Sequence, residues 1–502
     1  MKIFRTDQIR QLDAQSMELE GITSIELMNR AAKALSERLL TLLTPSDKVL
    51  VLAGPGNNGG DALAVARLLL EAGQKVEVIL CQPDAKVSRD TLEQLIDLQQ
   101  TEGADIRALD HTETLDTLKA DWTFLLDGLF GTGLNRPLQG YFAEVVHWIN
   151  RQKCRIIAID LPSGLFGEDN TKNIGTHIVR ANLTLGLQFP RLAFLLPENE
   201  PFVGQWELVD IGIRPEVTER MPAAYHYMDR PEIRPLLKVR SLHAHKGTAG
   251  KVLLVAGSQE MTGAAILALR GALRSGAGLV YLRIPEAAVS VVQATVPEAL
   301  VLPAETDPSS FDGFDAIAIG PGLGKNAAQL LALTDLLDQK FYPLVLDADA
   351  LNFLAAHPQW LEKVPAQTIL TPHPGEFDRL IGKPSTSGFE RLHHALAFAK
   401  KHRVYVVLKG AYTVCIDPDG KASFNSTGNP GMATGGSGDV LTGIIVSLLA
   451  QGYLPGDAAR LGVYLHGLSG DIALEKQSWE SLIAGDLTDN LGLAFKQLEN
   501  EP

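Results

Sequence analysis

The sequence predicts an α/β fold in two domains, and three observations carry that expectation. Short apolar strands alternate with helical stretches in both halves. A stretch with four prolines, Arg214-Pro215 to Arg234-Pro235, breaks the rhythm between them. Glycine-rich loops stand where strands end. Alternating strands and helices build a parallel sheet covered on both faces, and ligands bind at the carboxyl ends of its strands. The 502 residues suffice for two cores. The expected domains are residues 1–220 and 225–502.

Composition narrows the function. Apolar residues make up 45% and charged residues 21%, as in soluble globular proteins. A net charge of −14 argues against nucleic acid and anionic membrane as partners, leaving small molecules. Anionic ligands must then be held by local devices such as glycine loops, helix N-termini and single lysines. Cys81, Cys154 and Cys415 are odd in number and far apart. They read as reduced thiols. The first residues are too polar for a signal peptide, and no run approaches the roughly 18 apolar residues of a membrane span. A cytoplasmic location is expected.

In the first half, Thr23-Ser24-Ile25-Glu26 is a capping box. It opens a helix with Met28, Ala32, Leu35, Leu39 and Leu42 on one face. Strands follow at 48–53, 75–81, 123–126 and 155–159, with a helix expected over 61–72. The last two strands end in Asp127 and Asp160. Gly54, Gly56 and Gly59 satisfy G-x-G-x-x-G, the dinucleotide fingerprint. Here, however, the loop is filled by Asn57, Asn58 and Asp61. With Asp127 and Ser163, these oxygen-bearing side chains suit a cage for a hard cation. Any one aspartate alone reads better as a strand-end cap or turn former; the convergence of three strand ends in one sheet shifts the balance.

In the second half, strands are expected at 251–256, 316–319, 344–349, 368–371 and 404–408, and a helix leads from Gly263 towards Gly276. Tyr225 to Pro231 reads as a short docking segment. Gly320 to Lys325 does not make a P-loop, because the spacing fails and Asn326 follows the lysine. Asp347 and Asp349 read as sheet-end caps outside the site. His373, between two prolines at a strand end, suits either a structural role or ligand contact. Asn429-Pro430-Gly431-Met432-Ala433-Thr434-Gly435-Gly436-Ser437-Gly438-Asp439 is the most informative stretch. Its glycines let backbone N–H groups converge, and the helix behind adds its positive end, which together cradle a phosphate. Asp439 is placed to accept a proton from a hydroxyl attacking a phosphoryl group. The competing reading is a flexible loop and an ordinary capping aspartate.

Gly54-Pro55-Gly56-Asn57-Asn58-Gly59-Gly60-Asp61, Leu126-Asp127-Gly128-Leu129-Phe130-Gly131-Thr132-Gly133 and Asp160-Leu161-Pro162-Ser163-Gly164 resemble the NAD(P)H-hydrate epimerase family. That family has a Rossmann-like three-layer sandwich and interconverts the C6 epimers of hydrated NADH or NADPH. The resemblance implies potassium on Asn58, Asp127 and Ser163. It implies substrate contact at Asn57-Asn58-Gly59-Gly60-Asp61, at Gly131-Thr132-Gly133-Leu134-Asn135-Arg136-Pro137 and at Asp160, the implied acid/base. Ala62 departs from the family's more usual glycine.

The 429–439 stretch, with Lys409-Gly410, Thr371-Pro372-His373-Pro374-Gly375-Glu376 and Lys246-Gly247, resembles the ADP- or ATP-dependent NAD(P)H-hydrate dehydratases, which are ribokinase-like α/β domains. It implies nucleotide binding by Lys409-Gly410-Ala411-Tyr412-Thr413 and by Asn429 to Gly438. Ala265, Gly322, His373 and Asp439 would meet the hydrated cofactor, with Asp439 catalytic. ADP, or ATP, is the implied phosphoryl donor and Mg2+ an expected cofactor. A homo-oligomer is expected. Together the halves imply a bifunctional repair enzyme. The alternative is a small-molecule kinase fused to a non-catalytic binding module.

Overall fold

The computed structural model describes all residues except 82–85, 110, 113–114, 116–117, 119–120, 305–310, 312, 325–326 and 501–502. Lys325 and Asn326 of the rejected P-loop therefore lie outside the described residues. The chain forms two compact units, Lys2–Ala223 and Ala224–Pro502, the latter joined by Met1.

The first unit is built on a seven-stranded parallel sheet. Its spatial order is Asp105–Leu109, Lys75–Cys81, Lys48–Ala53, Phe124–Gly128, Arg155–Ile159, Leu183–Leu187 and Gln205–Val209. The order reverses direction at Lys48–Ala53, so a crevice opens where this strand and Phe124–Gly128 end. Successive side chains alternate faces. Val49 and Val51 pack with Ala32, Leu35 and Leu39 of the helix Ser24–Leu40. Leu50 and Leu52 pack with Val145, Trp148 and Ile149 of the helix Tyr141–Ile149. Each buried aliphatic side chain contributes roughly 1.5–3 kcal/mol. Leu42 lies beyond that first helix, which ends at Leu40.

One helix starts earlier than the sequence suggests. It spans Asn57–Glu71, not 61–72, because Gly56 in an extended conformation serves as its N-cap. Two positions tolerate only glycine, one in the loop before it and one in its first turn: a Cβ at Gly54 would lie 2.0 Å from the Leu129 carbonyl oxygen, and one at Gly59 1.9 Å from that of Gly54. Ala62 is accommodated because its methyl group faces Gly128.

The second unit has a larger sheet. From one side it runs Tyr225–Met228, Ala422–Asn425, Val414–Ile416, Tyr405–Leu408, Ile369–Leu370, Leu344–Leu346, Ala316–Ile319, Lys251–Val255, Leu279–Ile284 and Leu300–Pro303. Its strands are parallel from Tyr405–Leu408 onward, while Tyr405–Asn425 turns back as an antiparallel meander. Tyr225–Met228, read from sequence as a docking segment, is a strand pairing in parallel with Ala422–Asn425. The strand expected to reach Asp349 stops at Leu346. Asp347 is the N-cap of a helix, Ala348–Ala356. Helix Ser437–Ala450 is buried along nearly its whole length and crosses Thr262–Arg274 closely, with Gly443 against the Ala268 carbonyl. The three cysteines are free thiols, Cys81 and Cys415 buried, and burial pushes each of those two up to about 12. Among the described residues, no helix is long and apolar enough to cross a membrane.

Candidate active sites

In the first unit, the carboxyl ends of adjacent parallel strands gather four polar residues. Asp127, at the end of Phe124–Gly128, is fully buried. Its carboxylate accepts from Ser163 Oγ (2.6 Å), Ser163 N (2.8 Å) and Leu129 N (3.2 Å). Burial pushes it up to about 6, against these bonds. Ser163 Oγ in turn accepts from Phe130 N at 2.8 Å. Asp160 follows the next strand with φ of 65°, a left-handed conformation that non-glycine residues seldom hold. Asp160 Oδ2 accepts from Thr132 N (2.9 Å), and its Oδ1 from Arg191 Nη2 (2.6 Å).

Asn58 arrives on the first turn of the Asn57–Glu71 helix, 8% exposed, and its Nδ2 has no partner among the described residues. A side chain at Gly131 would meet Asp160 Oδ2 at 2.6 Å and Asn58 Oδ1 at 2.9 Å, so these oxygens converge under the 131–137 loop. That loop forms a rim with Gly133, Asn135 and Arg136 exposed and the rest half-buried, and His177 Nδ1 holds its end through the Leu138 carbonyl at 2.7 Å. Asp61 lies one turn beyond Asn58. Burial first, then Asp160, Asp13 and Asp90, pushes it well above the usual carboxylate range.

In the second unit, Gly436 takes φ of 92° and lets the chain turn into the helix Ser437–Ala450. The first N–H groups of that helix lack intrahelical acceptors, and its dipole favours an anion in front of them. His466, buried and pulled by burial down to about 4, is neutral; its Nε2–H donates to the Ser437 carbonyl at 2.9 Å. Asn429 Oδ1 accepts from Gly431 N, and Asn429 Nδ2 donates to Asp471.

Asp439 sits in the first helical turn. Burial first, then Asp347, pushes it up to about 7, with Asp349 and Glu376 adding to the rise and Lys409 opposing it. The Lys409 ammonium lies 2.9 Å from Asp347 Oδ1 and 3.8 Å from Glu376 Oε2. A side chain at Gly438 would meet it at 3.2 Å. Burial pulls Lys409 down, but Asp347 and Glu376 more than offset this and hold it above its ordinary range.

Sequence reasoning set Asp347 and Asp349 aside. The structure makes Asp347 the hub of the second site, bonded to Lys409 and to Thr442 Oγ1 at 2.7 Å, one helical turn past Asp439. Asp349 Oδ2 accepts from Gly324 N at 2.8 Å, beside Gly322. The signal available was Asp347-Ala348-Asp349 at the end of a central strand, the ligand edge of such a sheet. His373 is the N-cap of Pro374–Leu380, its Nδ1 accepting from Gly375 N and Glu376 N. Ala265 has no exposed surface and packs under Gly257, so its side chain does not reach an open face. Residues 410–413 form the turn between two antiparallel strands, Thr413 Oγ1 donating to the Gly410 carbonyl. Arg191 gave no sequence signal.

Residues 24–193 match the family model of the YjeF-related protein N-terminus, and residues 252–492 match that of NAD(P)H-hydrate dehydratase. The bifunctional NAD(P)H-hydrate repair enzyme of Moorella thermoacetica is 36% identical over 524 residues, covering 100% of this chain and 98% of the relative. That of Thermofilum pendens is 34% identical over 520 residues, covering 100% and 97%. A crystal structure of the ADP/ATP-dependent NAD(P)H-hydrate dehydratase of Bacillus subtilis, co-crystallised with ATP and Mg2+, shares 35% identity, with a TM-score of 0.49. It covers 55% of this chain and 99% of that one.

Two layered α/β units, each with an acidic group at the ligand edge of its sheet, define a two-domain α/β enzyme. The chain belongs to the family of bifunctional NAD(P)H-hydrate repair enzymes.

Proposed function

We propose that this chain restores hydrated NADH and NADPH. The first unit interconverts the R and S forms at C6. The second dehydrates the S form with a nucleotide phosphoryl donor, ADP favoured and ATP also accepted. The observation that carries this reading is the placement of Asp439. It is a carboxyl group pushed up to about 7, one residue past Gly438 and beside the Lys409 ammonium, at the start of a buried helix.

Water added across the nicotinamide C5–C6 bond leaves a hydroxyl at C6, and hydroxide leaves poorly. Asp439 accepts the hydroxyl proton as its oxygen attacks the terminal phosphoryl group. The N–H groups of Ser437 to Asp439, with Lys409, hold the charge on the transferring group. The ring nitrogen's lone pair then expels phosphate to leave an N1–C6 iminium ion, and loss of the C5 proton to water restores the dihydropyridine. Asn429 to Gly438 and Lys409 to Thr413 hold the nucleotide. Among the described residues, no three His, Cys, Asp or Glu side chains are arranged to hold a metal. Mg2+ is therefore expected to enter with the nucleotide phosphates, whose charge it would offset.

In the first unit, Asp160 is the acid/base for inversion at C6, and the 57–61 and 131–137 stretches hold the substrate. Asn58, Asp127 and Ser163 offer only oxygen donors, which suits potassium. A monovalent cation would offset the buried Asp127 carboxylate. We place the protein in the cytoplasm as a homo-oligomer.

The test is a mixture of hydrated NADH epimers given ADP or ATP. Absorbance at 340 nm should rise until both epimers are consumed, with inorganic phosphate released. A stable phosphorylated product would mark a small-molecule kinase instead. Consumption of one epimer only, at the rate of spontaneous exchange, would remove the epimerase.

A further inference from the structure

Asp160 does not hold its position alone. It sits in a left-handed conformation that residues other than glycine seldom hold. Such a residue persists only where its surroundings fix it. The Asp160 amide donates to the Leu185 carbonyl at 2.8 Å. Its two carboxylate oxygens are divided. Oδ2 takes the Thr132 N–H and faces the Gly131 backbone, where the substrate loop begins. Oδ1 points the other way, into the 2.6 Å contact with Arg191.

Arg191 comes from the loop after the adjacent strand, Leu183–Leu187, and is 3% exposed. Two features brace that loop. Gln188, also left-handed at φ 60°, donates its N–H to the Val209 carbonyl and accepts from Ile211 N at its Oε1. Phe189 stacks edge-on against Phe4. The guanidinium makes a second, longer contact with the Leu187 carbonyl, 3.4 Å. Its Nε and Nη1 are buried without a partner among the described residues.

A buried ion pair with idle donors is a poor way to stabilise a fold, since apolar residues of similar volume do as well or better. It is a good way to hold a carboxylate in one orientation. We infer that Arg191 is a positioning residue for the epimerisation. It clamps Oδ1 of Asp160 so that Oδ2 alone is presented to the substrate. The inference rests on the reading of Asp160 as the acid/base. In the step it serves, the C6 hydroxyl gives its proton to Oδ2, the C6–N1 bond breaks to an aldehyde, and N1 takes a proton from water. Re-closure on the other face returns both protons, so none is consumed.

The experiment uses the full chain without nucleotide, so that dehydration is idle, and follows exchange between the two hydrated NADH epimers by NMR. Arg191→Met keeps the bulk and removes the clamp. Its kcat should fall by about 10²-fold with KM within about threefold of wild type, because misplacing a reacting group affects turnover more than binding. Arg191→Lys, which keeps the charge but not the planar fork, should recover part of the loss and stay below wild type. A folded Arg191→Met enzyme with wild-type kcat overturns the inference, as does a loss confined to KM. If Arg191→Met does not fold, Arg191→Lys decides alone: a lowered kcat at unchanged KM supports the clamp, and wild-type turnover overturns it. Asp160→Asn is run alongside. If it epimerises at the wild-type rate, the reading of Asp160 has failed, whatever Arg191 does.

Discussion

The two units solve one problem in opposite ways. Each places a carboxyl group at the ligand edge of a sheet and must keep it useful while it is out of water. In the first, Asp160 bonds directly to a buried guanidinium, which also attracts the nearby Asp13, and lies under the half-exposed 131–137 loop. In the second, Asp439 shares one ammonium with Asp347 and Glu376, with Asp349 also near, and is pushed up to about 7. Proton shuttling at one carbon asks for a carboxyl group held in one orientation. Phosphoryl transfer asks for a base whose affinity for a proton is near neutrality, where Brønsted efficiency is greatest. The difference in wiring follows the difference in task.

The sharpest way to break this contrast is Asp439→Asn. It keeps the size and much of the capping but cannot accept a proton. Dehydration should fall by about 10²- to 10⁴-fold, while nucleotide binding and epimer exchange persist. Retention of dehydration within about threefold, in a folded protein, would reduce Asp439 to an acidic residue of the first helical turn, worth at most about 1 kcal/mol.

Lys409→Met should come next in size. It strands Asp347 and Glu376, and removing one partner of a buried pair costs about 3–5 kcal/mol. Denaturant unfolding of the second unit should show a loss of that order, together with weakened nucleotide binding in calorimetry. An unchanged midpoint would mean that Asp347 finds another donor.

The pH dependence separates the sites further. Because Asp439 must be charged to act, the dehydration rate should fall as pH drops through about 7, and that limb should vanish in the asparagine variant. Stability should move the other way. A carboxyl group raised on folding contributes stability below its unfolded value near 4 that is lost as pH rises through about 7. Asp439→Asn should therefore melt above wild type at pH 8 and alongside it at pH 4. Equal melting at both pH values would show that burial does not strain Asp439.

Exchanging potassium for lithium should slow epimer exchange and leave dehydration at its former rate. Equal rates in both salts would remove the cation from the first site. The smallest effect is expected from cutting the chain: a fragment of residues 1–223 should epimerise within about threefold of the full protein, since a compact unit with its own core folds alone.

What the sequence revealed depended on how local each cause is. The Gly54–Asp61 and Asn429–Asp439 loops were legible because close backbone approach and a turn into a helix demand particular residues within a few positions. The Gly59 and Gly436 geometry shows that demand directly. The parallel sheets were legible because apolar strand runs recur. Arg191 was invisible, because its partner lies 31 residues upstream and no spacing rule links neighbouring strand ends. Asp347 was misjudged for a related reason. An aspartate after a strand is commonly only a cap, and what makes it more is Lys409, 62 residues on. Tyr225–Met228 lacked a strand's usual context in sequence because its partner strand, Ala422–Asn425, comes nearly two hundred residues later.

The buried thiols carry a practical consequence. A thiol pushed up to about 12 is ionised in only about one molecule in 10⁵ at neutral pH, and the thiolate is the form that alkylating agents and peroxides attack. Cys154 is half-buried and is also raised by burial. Neither proposed reaction uses sulfur. The protein should thus tolerate oxidants and thiol-directed inhibitors that silence many enzymes, and its shelf life should owe little to added reductant.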